Sequence, residues 1–213
     1  MHIKQFIGRL KLQLRGRNHI VGWNMRPMQA VAFFKKQAKT VLTFYGYAVD
    51  YQNAAEPRQT IREILLRHTP TTTLINYGAT KGGMGAVYEV AKTMGFTTTG
   101  IVSTLALELP DDISPDVDHI CFIDDTTWGG KLPNSEELSP TSKAMVACSD
   151  VLVAVGGGEI TRDELLAARE QGKPIEYYPA EVNHDWALRN ASKKDAPPPE
   201  SFWGAVHEVF RKS

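Results

Sequence analysis

The chain has 213 residues, of which 42% are hydrophobic and 23% are charged, with 17 glycines and 12 prolines. This size and composition fit one globular α/β domain with modest additions and exclude a mainly disordered, collagen-like or coiled-coil chain. The formal net charge is zero, but residues 1–49 contain nine Lys and Arg and no acidic residue, whereas the rest carries 15 basic and 24 acidic residues. The sequence therefore combines a basic N-terminal arm with an acidic body.

The basic arm, residues 1–39, leaves its first secondary-structure element open. Leucines alternate with basic or polar residues from 9 to 15, which is typical of a strand. Apolar residues spaced as in a helix fit the same region almost equally well, namely Ile3, Ile7, Leu10 and Leu14. Pro27 predicts the first turn of a helix that runs to about residue 39.

From residue 40 onwards, predicted strands and helices alternate. Short segments, most of them apolar, predict strands at 41–45, 73–77, 97–103, 119–124, 151–155 and 175–178. Amphipathic stretches predict helices from Pro57, around Val87 to Met94, from Pro140 to about 149, and up to about residue 170. Residues 185–199 are predicted as a polar, Pro-rich connection to a C-terminal helix that packs on the same domain.

This alternation predicts a doubly wound α/β domain over residues 40–184, with a mostly parallel sheet and helices on both faces. The strands are continuous apolar runs, as expected for a sheet that is covered on both faces. Because such sheets bind ligands beyond the carboxyl ends of their strands, the informative residues are expected directly after strands.

Two glycine-rich segments follow predicted strands. The first glycine turn, residues 78–85, is GATKGGMG, and the second glycine turn, residues 156–161, is GGGEIT. Glycine after a strand lets backbone N–H groups approach an anion, and the following helix N-terminus adds partial positive charge. The pair predicts a site for a phosphate-bearing ligand. The alternative is that the glycines only permit tight turns and close helix–sheet packing.

Other familiar site patterns do not fit. A P-loop would need Lys followed by Ser or Thr where Met84 and Gly85 stand, and GxGxxG cannot be placed in either turn. An NAD-dependent dehydrogenase is therefore not expected. The two cysteines and six scattered histidines form no metal-site pattern, so metal catalysis has no support.

The two turns together resemble motifs of the SLOG superfamily of Rossmann-like nucleotide-binding proteins, in particular the LONELY GUY-type (lysine-decarboxylase-like) cytokinin nucleotide phosphoribohydrolases. Residues 77–85 resemble a GGGxxGxMG motif with one residue deleted. Residues 156–164 resemble a PGGxGTxxE motif, with Gly156 for the proline and Ile160 for a glycine. The resemblance covers roughly residues 40–180 and implies a Rossmann-like fold that binds a nucleotide.

The resemblance also implies a catalytic carboxylate at Glu164, which occupies the place of the glutamate implicated in N-glycosidic bond cleavage. A carboxylate stabilises oxocarbenium character or activates a water at the anomeric carbon. Thr161 and Glu164 equally fit an S/T-x-x-E capping box that needs no substrate. The phosphoribohydrolases carry an Arg-Lys pair on the preceding helix, whereas residues 139–150 contain Lys143 and no arginine. Hydrolysis and binding without catalysis both remain open.

Further candidates follow from positions at strand ends. Gly46 and Tyr47 are expected to face the same crevice, and Lys81 is suited to neutralise a phosphate. Residues 124–130 offer two carboxylates for a ribose or Mg²⁺ and Trp128 for base stacking, or else form a capped turn with a packed tryptophan. The predicted ligand-binding residues are Gly46, Tyr47, Gly78, Ala79, Thr80, Lys81, Gly82, Gly83, Met84, Gly85, Lys143, Gly156, Gly157, Gly158, Glu159 and Thr161.

The sequence thus predicts a protein that binds a nucleotide or phosphoribosyl small molecule. One hypothesis is a nucleotide N-glycosidase that uses Glu164, and the other is a nucleotide sensor without catalysis. A single-stranded nucleic-acid-binding module led by the basic arm is less favoured, since the arm more commonly docks on an acidic body.

Cofactor, partner and compartment predictions are mainly negative. No cofactor or metal is predicted, and Mg²⁺ has no support beyond the carboxylates of Asp124 and Asp125. No apolar window approaches the roughly 18 residues of a membrane span, and basic residues interrupt any secretory segment, so a cytoplasmic protein is expected. The related enzymes imply a homodimer, by analogy alone.

Overall fold

A computed structural model of the chain describes residues 8–12 and 20–211. In this part of the chain, eight strands form one sheet and seven α-helices pack around it. The strands are β1 Gly8–Leu12, β2 Ile20–Met25, β3 Thr40–Gly46, β4 Thr73–Tyr77, β5 Thr97–Ser103, β6 His119–Ile123, β7 Val151–Val155 and β8 Ile175–Tyr178. The helices are α1 Pro27–Lys36, α2 Ala55–Leu65, α3 Ala86–Thr93, α4 Pro140–Cys148, α5 Glu159–Glu170, α6 His184–Lys193 and α7 Gly204–Phe210.

The order of the strands is β1-β2-β6-β5-β4-β3-β7-β8. From β2 to β8 all neighbours are parallel, and β1 pairs antiparallel with β2. The chain extends the sheet from β3 in one direction through β4, β5 and β6, and in the other through β7 and β8. This arrangement confirms the doubly wound, mostly parallel, Rossmann-like α/β fold.

Neighbouring residues of a strand serve different hydrophobic cores. Phe44 of β3 lies in a core with α2 and α3, whereas the next residue, Tyr45, lies in a core with α1, α4, α5 and α7. Successive side chains of a strand point to opposite faces of the sheet. Both faces of β3 are therefore buried, which is why its sequence is a continuous apolar run.

The N-terminal segment contributes strands to the sheet. Strand β1 confirms the strand alternative over residues 8–12, while residues 1–7 and 13–19 lie outside the described part. Strand β2, which the apolar pattern did not predict, pairs in parallel with β6, and its last residue, Met25, is buried. Helix α1 begins at Pro27 as predicted and ends at Lys36.

The segment predicted as a polar connection, residues 185–199, contains most of helix α6, so that prediction was wrong in its first half. Asn183 caps the helix, because its side chain accepts a hydrogen bond of 2.9 Å from the Trp186 N–H. The helix has no buried residue, and only Trp186, Ala187, Leu188 and Ala191 of its ten residues are apolar, so its sequence was interpreted as a polar connection. No helix among the described residues is both long and apolar enough to cross a membrane.

Candidate ligand-binding cleft

Close packing explains why the first glycine turn needs glycine at positions 82 and 83. A Cβ atom on Gly82 would lie 2.6 Å from the carbonyl oxygen of Ala48, and one on Gly83 would collide with the carbonyl oxygens of Tyr47 and Val49. Gly83 also has a φ of +52°, a conformation that glycine adopts at little cost. The segment after β3 can approach the turn only because these side chains are absent.

Only some backbone N–H groups of the first glycine turn donate hydrogen bonds to other groups of the protein. The N–H of Ala79 donates to Tyr88 Oη at 3.0 Å, and the N–H of Lys81 donates to a backbone carbonyl at 2.9 Å. Among the described residues, the N–H groups of Thr80 and Gly82 donate no hydrogen bond to another protein group. These two N–H groups are therefore not used by acceptors in the described part of the chain.

A cleft of about 340 Å³ opens where the first glycine turn meets the ends of β4 and β5. Residues 78–82 form one wall, and the half-exposed side chain of Trp128 contributes to the rim. The other lining side chains are mostly apolar and include Ala48, Val102, Ala106, Leu109 and Ile113. A second groove, of about 410 Å³, lies along α6 and contains neither a glycine turn nor a strand end.

Residues 125–130, the Trp128 loop, are fastened at their start by Asp125. One carboxylate oxygen accepts the Thr127 N–H at 2.8 Å, and the other accepts the Thr141 N–H at the start of α4, also at 2.8 Å. Burial raises the pKa of Asp125, but these hydrogen bonds outweigh it and hold the pKa below its usual value. The segment is thus a capped turn, as one alternative predicts, but its tryptophan is half exposed at the cleft rather than packed.

The second glycine turn is covered by the chain itself. Gly156 and Gly157 are buried and have φ values of +62° and +130°. A Cβ atom on Gly156 would lie 2.6 Å from the ring of Tyr47, and one on Gly157 would lie 2.9 Å from Val206 of α7. The carbonyl of Gly157 accepts the Val206 N–H at 3.2 Å. This turn does not line the cleft.

Doubly wound sheets usually open a ligand crevice where the strand order reverses, here between β3 and β7. Two tyrosines and the segment before α7 fill that place. Tyr51 Oη donates to the Val155 carbonyl at 2.8 Å, and Tyr47 Oη donates to the Trp203 carbonyl at 2.8 Å. Burial raises the pKa of Tyr47 to about 12, so its phenol stays protonated as this donor. Tyr47 and its neighbour Gly46 therefore lie in packed structure.

Glu164 lies outside the cleft lining and is 4% exposed. Its Oε1 accepts a hydrogen bond from the hydroxyl of Ser142 on α4. Burial raises its pKa to about 8, against the lowering effect of the Ser142 hydrogen bond. The capping-box interpretation was wrong: Gly158 is the N-cap of α5, so Thr161 is the third helical residue and Glu164 the sixth. A capping box requires the N-cap and third positions.

The other predicted residues are dispersed. Lys143 is exposed and pairs with Glu137 at 3.0 Å, whereas Lys81 lines the cleft and donates its Nζ to the Asp111 carbonyl. Glu159 is exposed at the start of α5, and Met84 and Gly85, the last two residues of the first glycine turn, are buried. The structure thus brings residues 78–82 together with Trp128 and separates them from the second turn. Sequence reasoning missed the apolar lining, whose residues carry no motif.

Several solved structures are similar to this chain. The Moco carrier protein from Chlamydomonas reinhardtii aligns with 74% of this chain and 85% of its own, at 23% identity and a TM-score of 0.48. The molybdenum cofactor binding protein from Rippkaea orientalis aligns with 65% and 76%, at 21% identity and a TM-score of 0.47. DNA processing protein A from Streptococcus pneumoniae aligns with 83% and 62%, at 12% identity and a TM-score of 0.46. No family model and no curated protein matches the chain.

All three of these similar structures are less than 25% identical to the chain. Because their TM-scores are below 0.5, these similarities do not indicate a ligand or an activity for this chain. The chain is a Rossmann-like α/β protein by the strand order of its own sheet.

Proposed function

We propose that the protein binds a nucleotide or nucleotide-derived ligand in the cleft between the first glycine turn and Trp128. The observation that carries the proposal is that one cleft is lined by a half-exposed tryptophan and by Thr80 and Gly82, whose N–H groups have no acceptor among the described residues. An aromatic side chain stacks on a base, and turn N–H groups bind phosphate oxygens. The cleft volume of about 340 Å³ is typical of small-molecule sites.

The walls of the cleft favour a planar, mostly apolar group beside a small polar one. Val102, Ala106 and Ile113 provide apolar surface for a heterocycle. Lys81 and Asp112 both line the cleft, so their opposite charges leave it without a strong positive field. A phosphate is therefore expected to depend on the backbone donors rather than on attraction by side-chain charge.

A second candidate is N-glycosidase activity that uses Glu164. A buried carboxyl group whose pKa is raised to about 8 is typical of a general acid. However, this carboxyl group lies outside the cleft lining, and α4 offers the exposed Lys143 rather than an arginine. We therefore place binding without catalysis ahead of hydrolysis.

Calorimetric titration with four nucleoside monophosphates and a pterin tests the proposal. The pterin is included because stacking on Trp128 does not distinguish one planar heterocycle from another. We expect Trp128→Ala to weaken binding about ten-fold, the size of a lost stacking contact. Trp186→Ala, on the remote helix α6, is the matched control and is expected to bind as the wild type does.

Two outcomes would change this assignment. Absence of binding for every compound would overturn the proposal. Release of free base by the wild-type protein, with none released by Glu164→Gln, would place hydrolysis first.

A further inference from the structure

The Trp128 loop is fastened to helix α4 at its end as well as at its start. The N–H of Gly130 donates to Ser142 Oγ at 2.7 Å, and the carbonyl of Gly130 accepts the Ser139 N–H at 2.7 Å. At the start of the loop, Asp125 accepts the Thr141 N–H. Trp128 thus stands between two attachments to the first turn of α4.

The attachment at Gly130 continues to a carboxyl group on another helix. The Ser142 hydroxyl accepts from the Gly130 N–H, and it directs its own proton to Glu164 Oε1 on α5. Ser142 is completely buried and Glu164 nearly so, which leaves little water to replace either partner. A Cβ atom on Gly129 would lie 3.2 Å from Ser142 Oγ and 3.8 Å from Glu164 Oε1, so the loop rests directly on this pair.

We propose that Glu164 is a positioning residue, which acts through Ser142 to hold the Trp128 loop in the place where Trp128 forms the rim of the ligand cleft. The helix after the second glycine turn thereby acts on the cleft formed by the first. The importance of this contact for binding rests on the proposed function, whereas the position of the loop does not.

The variant Glu164→Gln distinguishes a positioning role of Glu164 from a catalytic one. A carboxylate, a neutral carboxyl group and a carboxamide all present an oxygen that accepts the Ser142 proton. Glu164→Gln therefore retains the positioning contact but removes any acid, base or charge-stabilising action of Glu164. Ser142→Ala and Glu164→Leu each break the contact, one by removing the donor and the other by replacing the acceptor with an apolar side chain of similar volume.

The experiment is ¹⁹F NMR of protein labelled with 5-fluorotryptophan, in which the Trp128 resonance is assigned by its loss in Trp128→Phe. We expect Ser142→Ala and Glu164→Leu to shift and broaden this resonance and to weaken AMP binding about ten-fold. Glu164→Gln is expected to keep the wild-type resonance and to bind AMP within about two-fold. Ser192→Ala, an exposed site on α6, is the control, and thermal melts identify any variant that does not fold.

An unchanged Trp128 resonance in both contact-breaking variants would overturn the proposal. Loss of AMP binding in Glu164→Gln with an unchanged Trp128 resonance would also overturn it, because Glu164 would then act on the ligand itself. If the wild-type protein binds no AMP and no other compound, the proposed function fails, and the resonance still tests the position of the loop.

Discussion

At the scale of single residues, Glu164 links protonation to folding. Burial raises its pKa from the ordinary 4.5 to about 8 in the folded protein. Between these values the folded state keeps a proton that the unfolded state has lost, so the contribution of Glu164 to stability is fully present below pH 4.5 and is lost as pH rises towards 8. We expect wild-type protein to lose on the order of a few kcal/mol more than Glu164→Gln over this range.

Denaturant unfolding at pH 5, 6.5 and 8 measures this difference. Glu170→Gln, which changes an exposed carboxylate at the end of the same helix, serves as the control and is expected to follow the wild type. Parallel stability curves for wild type and Glu164→Gln would show that Glu164 does not keep its proton in the folded protein.

Two glycines with positive φ allow the effect of close packing to be separated from backbone strain. Gly95 has a φ of +82° and nothing within 4 Å of an added Cβ atom, whereas Gly83 has both a positive φ and a collision with two backbone carbonyls. We expect Gly95→Ala to cost about 1 kcal/mol of unfolding free energy and Gly83→Ala about 3 kcal/mol or more. Urea unfolding measures both, and equal losses would contradict the close approach at the first turn.

At the scale of elements, the tyrosine between β3 and β7 stabilises the last helix. Tyr47 Oη donates to the Trp203 carbonyl directly before α7, and the Val206 N–H donates to Gly157. Removal of one such hydrogen bond costs about 1 kcal/mol, so Tyr47→Phe should speed amide hydrogen exchange across 204–210 about five-fold. Tyr178→Phe removes a hydroxyl that bonds to Glu176 and is the control. Equal exchange in wild type and Tyr47→Phe would show that this bond does not limit opening of α7.

The elements that the sequence predicts are those with a strong local pattern. Strands β3, β4, β6 and β7 are mostly apolar runs, and α1 and α4 begin at proline. Strand β2 was missed because its partner β6 lies almost 100 residues later, and nothing local identifies that pairing. Helix α6 was missed because it buries no residue and is defined by the Asn183 cap.

The candidate site was likewise predictable only where a local sequence pattern marks it. The first glycine turn follows β4 and lines the cleft, as the pattern indicates. The cover over the second turn depends on Tyr47 reaching Trp203, a contact across 156 residues that no local motif encodes. The exposure of Trp128 depends in the same way on the attachment of its loop to α4, so the sequence left base stacking and packing as alternatives.

At the scale of the whole molecule, the equal numbers of basic and acidic residues have a colloidal consequence. A formal net charge of zero at pH 7 removes the repulsion that keeps copies of a protein apart. We expect solubility in polyethylene glycol to be lowest near pH 7 and higher at pH 5.5 and pH 8.5, where the net charge departs from zero. Precipitation midpoints at the three pH values test this, and a flat profile would contradict it.

The strand order also determines when the sheet can close during synthesis. Strand β3 finds β4 soon after it is made, but its other neighbour, β7, begins only at Val151. Ribosomes add about 5–20 residues per second, so that edge of β3 stays open in the nascent chain for on the order of ten seconds. An open, apolar strand edge is a template for wrong pairing. The emerging polypeptide is therefore most exposed to aggregation, and most in need of chaperones, while the residues between β4 and β7 are translated.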